Sequence, residues 1–194
     1  RELCEERFSH AEKLHSFVLE VMSESGHELS ELDAVAVSKG PGSYTGLRIG
    51  VSTAKGLCYA VDKPLISVPT LESLARQVDA SGDELIIPLL DARRMEVYSA
   101  VFDSGYSQIR ETRAEVIGAG SYEEYLYKSK VFFLGDGAKK TKAAIIAAIG
   151  AGVNEPVHEN FTAEILPAHV TGLPEKHSDP VFIVKVEQKC DFGF

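Results

Sequence analysis

With 194 residues, 44% hydrophobic content and a mean hydropathy of −0.04, the chain can bury a core as one domain or as two small lobes. A formal net charge of −9 and a pI near 5.2 argue against a broad polybasic surface that grips phosphates by counterion release, so any nucleic-acid role is expected to be shared with a partner. Cys4, Cys58 and Cys190 suit neither a disulfide framework nor a zinc ribbon, and no apolar run approaches the roughly 20 residues that span a bilayer, so a soluble cytoplasmic protein with no membrane role is expected. The chain opens on Arg1 rather than Met, and an N-terminal piece is expected upstream of it.

Ser9-His-Ala-Glu12 has the form of a capping box, and Gly26 supplies a stop, so a helix is predicted from about Ser9 to Glu24. Its Leu14, Phe17, Val18, Val21 and Met22 fall on one arc of the wheel. Leu32 to Val37 reads as a short buried strand running into a glycine loop, followed by a helix from about Thr45 to Ala60 that Asp62, Lys63 and Pro64 end. Pro64 to Val68 is a second buried strand, and Thr70 starts a helix through about Val78. The turn formers and charges of Asp79 to Glu84 mark the expected lobe boundary. Beyond it, two β-rich runs flank Asp91 to Met95 as an antiparallel hairpin, Ser121 opens a short helix, VFFLG is a strand, and Ala138 to Ile149 is a helix. Asn154 to Pro180 reads as mainly loop, and PVFIVKV returns as a strand or a ligand loop.

The stretch SKGPGSYTGLRIGVSTAKG, Ser38 to Gly56, raises two chemical questions. A glycine loop between strand and helix, with Arg48 in the first helical turn, is a plausible anion cradle, yet its spacing matches neither G-x-x-x-x-G-K-[ST] nor G-x-G-x-x-G. A tight turn is the simpler explanation. In the helix, Gly46, Gly50 and Ala54 recur every fourth residue, continued by Cys58, and such a stripe lets another backbone approach closely. Glycine costs about 1 kcal/mol against alanine in a helix interior, so close packing must compensate, without the pattern naming what packs there.

Other candidates carry less. His10 and His15 are five residues apart and point about 140° away from each other, so they make no metal pair, and His158, His169 and His177 have no ligand spacing. Asp91, Arg93, Arg94 and Glu96 form a charge cluster at the hairpin tip, where exposed pairs ordinarily serve solvation and register. Ser43 and Ser52 lack a G-x-S-x-G elbow.

GPGSYTGLRIGVSTAKGL, with ISVPTLESLA, DARRMEVY and GDGA, resembles the TsaB (YeaZ) family, specifically its Bacteroidetes-type members. The likeness runs from about Ser9 to Gly137, with an echo at Asp179-Pro-Val-Phe182 of the family's C-terminal segment. It implies an α/β fold of two lobes of the actin-like ATPase type (ASKHA, RNase H-like), with residues 1–82 as a first lobe lacking its opening hairpin, 83–178 as a second, and 179–194 returning toward the first. It also implies a place in synthesis of N6-threonylcarbamoyladenosine at position 37 of tRNAs reading ANN codons, as a non-catalytic partner of the catalytic TsaD subunit. TsaD keeps an H-x-x-x-H metal motif that this chain does not show, and no metal is expected.

The resemblance places the first helix and the helix after the glycine loop against TsaD, which gives Leu14, Val18, Val21, Met22, Gly46, Gly50, Ala54 and Leu57 as expected interface residues. TsaE within the complex, tRNA indirectly, and a homodimer when TsaD is absent are the other implied partners. ATP or ADP at the TsaD interface would fall to Gly42, Ser43 and Arg48. The alternative from another class is an enzyme, either an ASKHA-type nucleotide hydrolase or a glycopeptidase-like protein.

Overall fold

The computed structural model describes residues 9–118, 120–150 and 181–184. These fall into two compact units, one reaching Pro69 and including 181–184, the other beginning at Thr70. The boundary therefore lies between Pro69 and Thr70 rather than within Asp79–Glu84. The cause is a helix at Thr70–Ala75, whose Leu71 and Ala75 are buried with Val78, Ile86, Ala100, Phe102 and Leu134 of the second unit.

In the first unit, α1 (Ser9–Ser25) stops at Gly26, whose φ of +73° is the left-handed conformation that glycine adopts freely. A 3-10 turn at Leu29–Glu31 leads to β1 (Ala34–Gly40), the glycine loop and α2 (Tyr44–Val61). Asp62 ends α2 in the left-handed conformation, its N–H donating to the Cys58 carbonyl. Then β2 (Leu65–Pro69) runs parallel to β1, with Val35 beside Leu65. PVFIVKV supplies β7 (Val181–Val184), parallel to β1 on its other side, so the sheet order is β2-β1-β7. A central parallel strand has both faces covered, and Ala34 to Val37 are all buried.

The second unit opens with α3 (Thr70–Ala75) and carries the hairpin β3 (Leu85–Asp91) and β4 (Glu96–Asp103). Next come β5 (Gln108–Val116), α4 (Glu123–Leu126), β6 (Val131–Leu134) and α5 (Asp136–Gly150). Its sheet order is β5-β4-β3-β6, antiparallel except for the β3–β6 pair. The β3–β4 pairing skips Pro88, which has no N–H to give. Side chains alternate across this sheet as strand geometry demands: Ile87, Leu89, Val97, Val101 and Phe133 join Ala138 and Ile145 on one face, while Ile86, Ala100, Phe102 and Leu134 meet α3 on the other.

β5 has no counterpart among the predicted elements. It is an edge strand with charge along most of its length, so it lacks the apolar alternation that announces a half-buried strand. The loop predicted for 154–180 lies outside the described residues, as do His158, His169 and His177. No described helix is long and apolar enough to cross a membrane.

Candidate functional site

The glycine loop leaves β1 at Gly40, where φ is +103° and a Cβ would lie 3.0 Å from Leu47 Cδ1. The Gly40–Pro41 peptide is cis. Ser43 is the N-cap of α2: its Oγ accepts from the Gly46 N–H at 3.3 Å and its carbonyl accepts from the Leu47 N–H at 2.8 Å. The hydroxyl is thus committed to satisfying an orphan helix donor. Gly42 and Arg48 are exposed, and the Arg48 guanidinium rests 5.4 Å from the Tyr44 ring centroid, a cation–π contact. These are the positions that the expected anion site would use, and the loop gathers them at the start of α2 without aiming Ser43 outward.

The helix layer divides the expected interface residues. Val18, Met22, Gly50 and Ala54 are buried inside the first unit. Met22 and Ala54 form one cluster with Leu32, Val35 and Val37, against which Leu14, Val51, Leu57, Cys58 and Leu65 pack. Leu14, Val21, Gly46 and Leu57 are half-buried. For Ala54, the end of the small-residue stripe, the close-packing neighbours are thus the unit's own sheet and helix.

The opposite side of α2 is different. Tyr44, Arg48, Ser52, Lys55 and Tyr59 are all exposed and fall within roughly an 80° arc at 3.6 residues per turn. Tyr59 is 92% exposed and Tyr44 74%, while Leu19 on α1 is 59% exposed. No acidic residue occurs in α2. Large aromatic surface left in water on a cationic helix face is the feature that sequence reasoning missed, although Tyr44 and Tyr59 lie off the Gly46, Gly50, Ala54 stripe in the bare sequence.

The remaining candidates are placed as follows. Ser52 and His15 are exposed. Among the described residues no group of three or more His, Cys, Asp or Glu side chains could hold a metal. The hairpin cluster forms the β3–β4 tip: Asp91 Oδ1 accepts from the Arg93 N–H at 2.6 Å, and the Lys140 ammonium pairs with Asp91. The GDGA motif proves to be a packing device. A Cβ at Gly135, where φ is +97°, would lie 2.4 Å from the Leu89 carbonyl oxygen, and one at Gly137 would lie 3.0 Å from it.

Comparison with known proteins gives this geometry a lineage. The family model described as TsaD, tRNA N6-adenosine threonylcarbamoyltransferase, matches residues 6–163. The chain is 34% identical over 117 residues to the tRNA threonylcarbamoyladenosine biosynthesis protein TsaB of Escherichia coli, covering 58% of this chain and 50% of that protein. It is 48% identical over 75 residues to the Bacillus subtilis protein of the same name, covering 37% of this chain and 31% of the other. A solved Pseudomonas aeruginosa protein, described as similar to peptidase YeaZ, superposes with a TM-score of 0.59 at 28% identity over 69% of this chain and 63% of that one. The matched stretches thus span half or less of these curated relatives. The long match to the family model, and relatives that share one name across two distant bacteria, place the chain in the tRNA N6-adenosine threonylcarbamoyltransferase (TsaD) family, on its TsaB/YeaZ branch.

Proposed function

We propose that the chain is a non-catalytic partner of TsaD in the synthesis of N6-threonylcarbamoyladenosine at tRNA position 37, working in the cytoplasm. The observation that carries this reading is the match to TsaB-named relatives, 34% identical over 117 residues and 48% over 75. The six histidines include no H-x-x-x-H spacing, the pattern that the resemblance ties to the catalytic subunit. The two units, one with a parallel sheet and one with a mixed sheet, are read as lobes of the actin-like ATPase type.

TsaD docks on the α1–α2 layer. The exposed arc Tyr44, Arg48, Lys55 and Tyr59 makes the contact, and half-buried Leu14, Val21, Gly46 and Leu57 contribute only what they leave exposed, Leu14 and Leu57 beside the core they pack on. Buried Val18, Met22, Gly50 and Ala54 act behind it, holding the helices to their sheet. Aromatic and arginine side chains are the residues that most often dominate binding energy, because they bury large area for little lost freedom. When TsaD is absent, a second copy of the chain occupies the same arc. ATP or ADP held at this interface would meet Gly42 and Arg48, with Ser43 kept to its capping role. TsaE and tRNA join through the assembled complex.

The test is a pair of binding measurements. Tyr59→Glu should leave the fold intact and weaken TsaD binding by at least about 2 kcal/mol, as expected for a central aromatic anchor. Sedimentation of the chain alone should show the same variant shifting any homodimer to monomer. Unchanged affinity for TsaD would place the docking surface elsewhere.

A further inference from the structure

We propose that the tip of the β3–β4 hairpin, Arg93 and Arg94, is a contact for the phosphate backbone of RNA, and this deepens the tRNA-modification reading above. Arg93 and Arg94 have φ of +73° and +48°, two consecutive left-handed residues where Gly or Asn would be easier to accommodate. The tip is nevertheless fixed. The Ala92 N–H donates to the Glu96 carbonyl at 3.0 Å, the Glu96 N–H to the Arg93 carbonyl at 3.0 Å, and the Ile117 N–H to the Met95 carbonyl at 2.8 Å. From α5, the Lys140 ammonium donates to the Glu96 carbonyl at 2.7 Å and pairs with Asp91, and Asp136 Oδ1 accepts from the Asp91 N–H at 2.8 Å.

This bracing decides where the charges go. Asp91 is taken by Lys140 and by the Arg93 N–H, and Asp136 accepts from the backbone of Asp91. Arg93 and Arg94 are exposed, and among the described residues neither guanidinium makes an ion pair or hydrogen bond. Exposed Lys139 stands beside Lys140 in the first turn of α5. A braced turn thus carries two exposed guanidiniums beside an Asp91 carboxylate already paired with Lys140, with the Glu96 carboxylate as the remaining anion of the tip.

A guanidinium fork matches phosphate oxygens bidentately, and a chain of net charge −9 has to make such a contact locally rather than over a broad surface. The alternative occupant is an acidic patch on a protein, and the experiment separates the two. The full chain in complex with TsaD is titrated with an unmodified tRNA transcript over a series of salt concentrations, for wild type, Arg93→Asn/Arg94→Asn and Arg93→Lys/Arg94→Lys. Asn accepts the left-handed conformation, so the first variant removes charge without forcing the turn.

The Asn pair should bind tRNA roughly tenfold more weakly and lower the slope of log K against log salt by about 1 to 2, as expected for losing one or two phosphate contacts. The Lys pair should retain most of that slope. An unchanged slope in the Asn pair overturns the proposal, as does a wild-type complex with no affinity for the transcript. Weakened TsaD binding with an unaltered tRNA slope also overturns it, in favour of the protein patch. If the chain binds no TsaD at all, the same titration on the chain alone still decides the tip, while the partner reading falls separately.

Discussion

At the scale of single residues, the second unit is fastened by a polar cluster behind its edge strand. Arg110 on β5, its side chain only 10% exposed, donates through Nη2 to Glu115 Oε1 at 2.6 Å and lies 5.1 Å from the Tyr122 ring centroid. The Tyr122 hydroxyl donates to the same carboxylate oxygen at 2.9 Å, and the fully buried Ser99 hydroxyl on β4 donates to it as well. Burial alone pushes the Glu115 carboxyl upward, but hydrogen bonds from Ser99, Arg110 and Tyr122, with the Arg110 charge, outweigh it and hold the group below its ordinary range. Such a carboxylate stabilises fully above the ordinary glutamate pKa of about 4.3, and its contribution is lost as pH falls through the lowered value. Glu115→Gln should therefore cost about 1–3 kcal/mol at neutral pH and flatten the decline of stability below about pH 4.5, read by urea denaturation across pH. Gly135→Ala should be destabilising by more than about 1 kcal/mol in the same assay, because its Cβ has no room beside the Leu89 carbonyl and its φ is left-handed.

At the scale of elements, α2 shows both the reach and the limit of sequence patterns. Its boundaries were legible from the Gly40–Gly42 loop at one end and Asp62–Pro64 at the other, and the stripe Gly46, Gly50, Ala54 did announce close packing, while the Ser43 cap came only with the structure. The stripe did not say whether the close neighbour was inside or outside the chain, since four-residue periodicity is the same for both. Two substitutions separate these roles. Gly50→Leu, at a buried position, should lower the melting temperature of the chain itself, whereas Tyr59→Glu should leave melting unchanged and act on binding alone. Equal melting of the Gly50→Leu variant and wild type would show that the helix is not packed as described. β5 was hidden for a different reason: it pairs with β4 as a local hairpin, but its charges, Arg110, Glu111, Arg113 and Glu115, are those that guard an exposed edge and interrupt the apolar alternation of a strand. α3 was found as a helix but assigned to the wrong side of the boundary, because only tertiary contact shows where Leu71 and Ala75 are buried.

At the scale of the whole molecule, the acidic net charge and the local cationic features are compatible once function is divided among partners. In the proposed reading, an exposed aromatic and cationic helix face in one unit serves a protein partner, and a braced arginine tip in the other serves RNA. Neither needs a catalytic group in this chain. The measurement that tests this account most directly is formation of N6-threonylcarbamoyladenosine on a tRNA transcript by the reconstituted system, with this chain present, omitted, or supplied without TsaD. The account predicts modification only when both this chain and TsaD are present. Full modification with this chain omitted, or modification by this chain in the absence of TsaD, would contradict it.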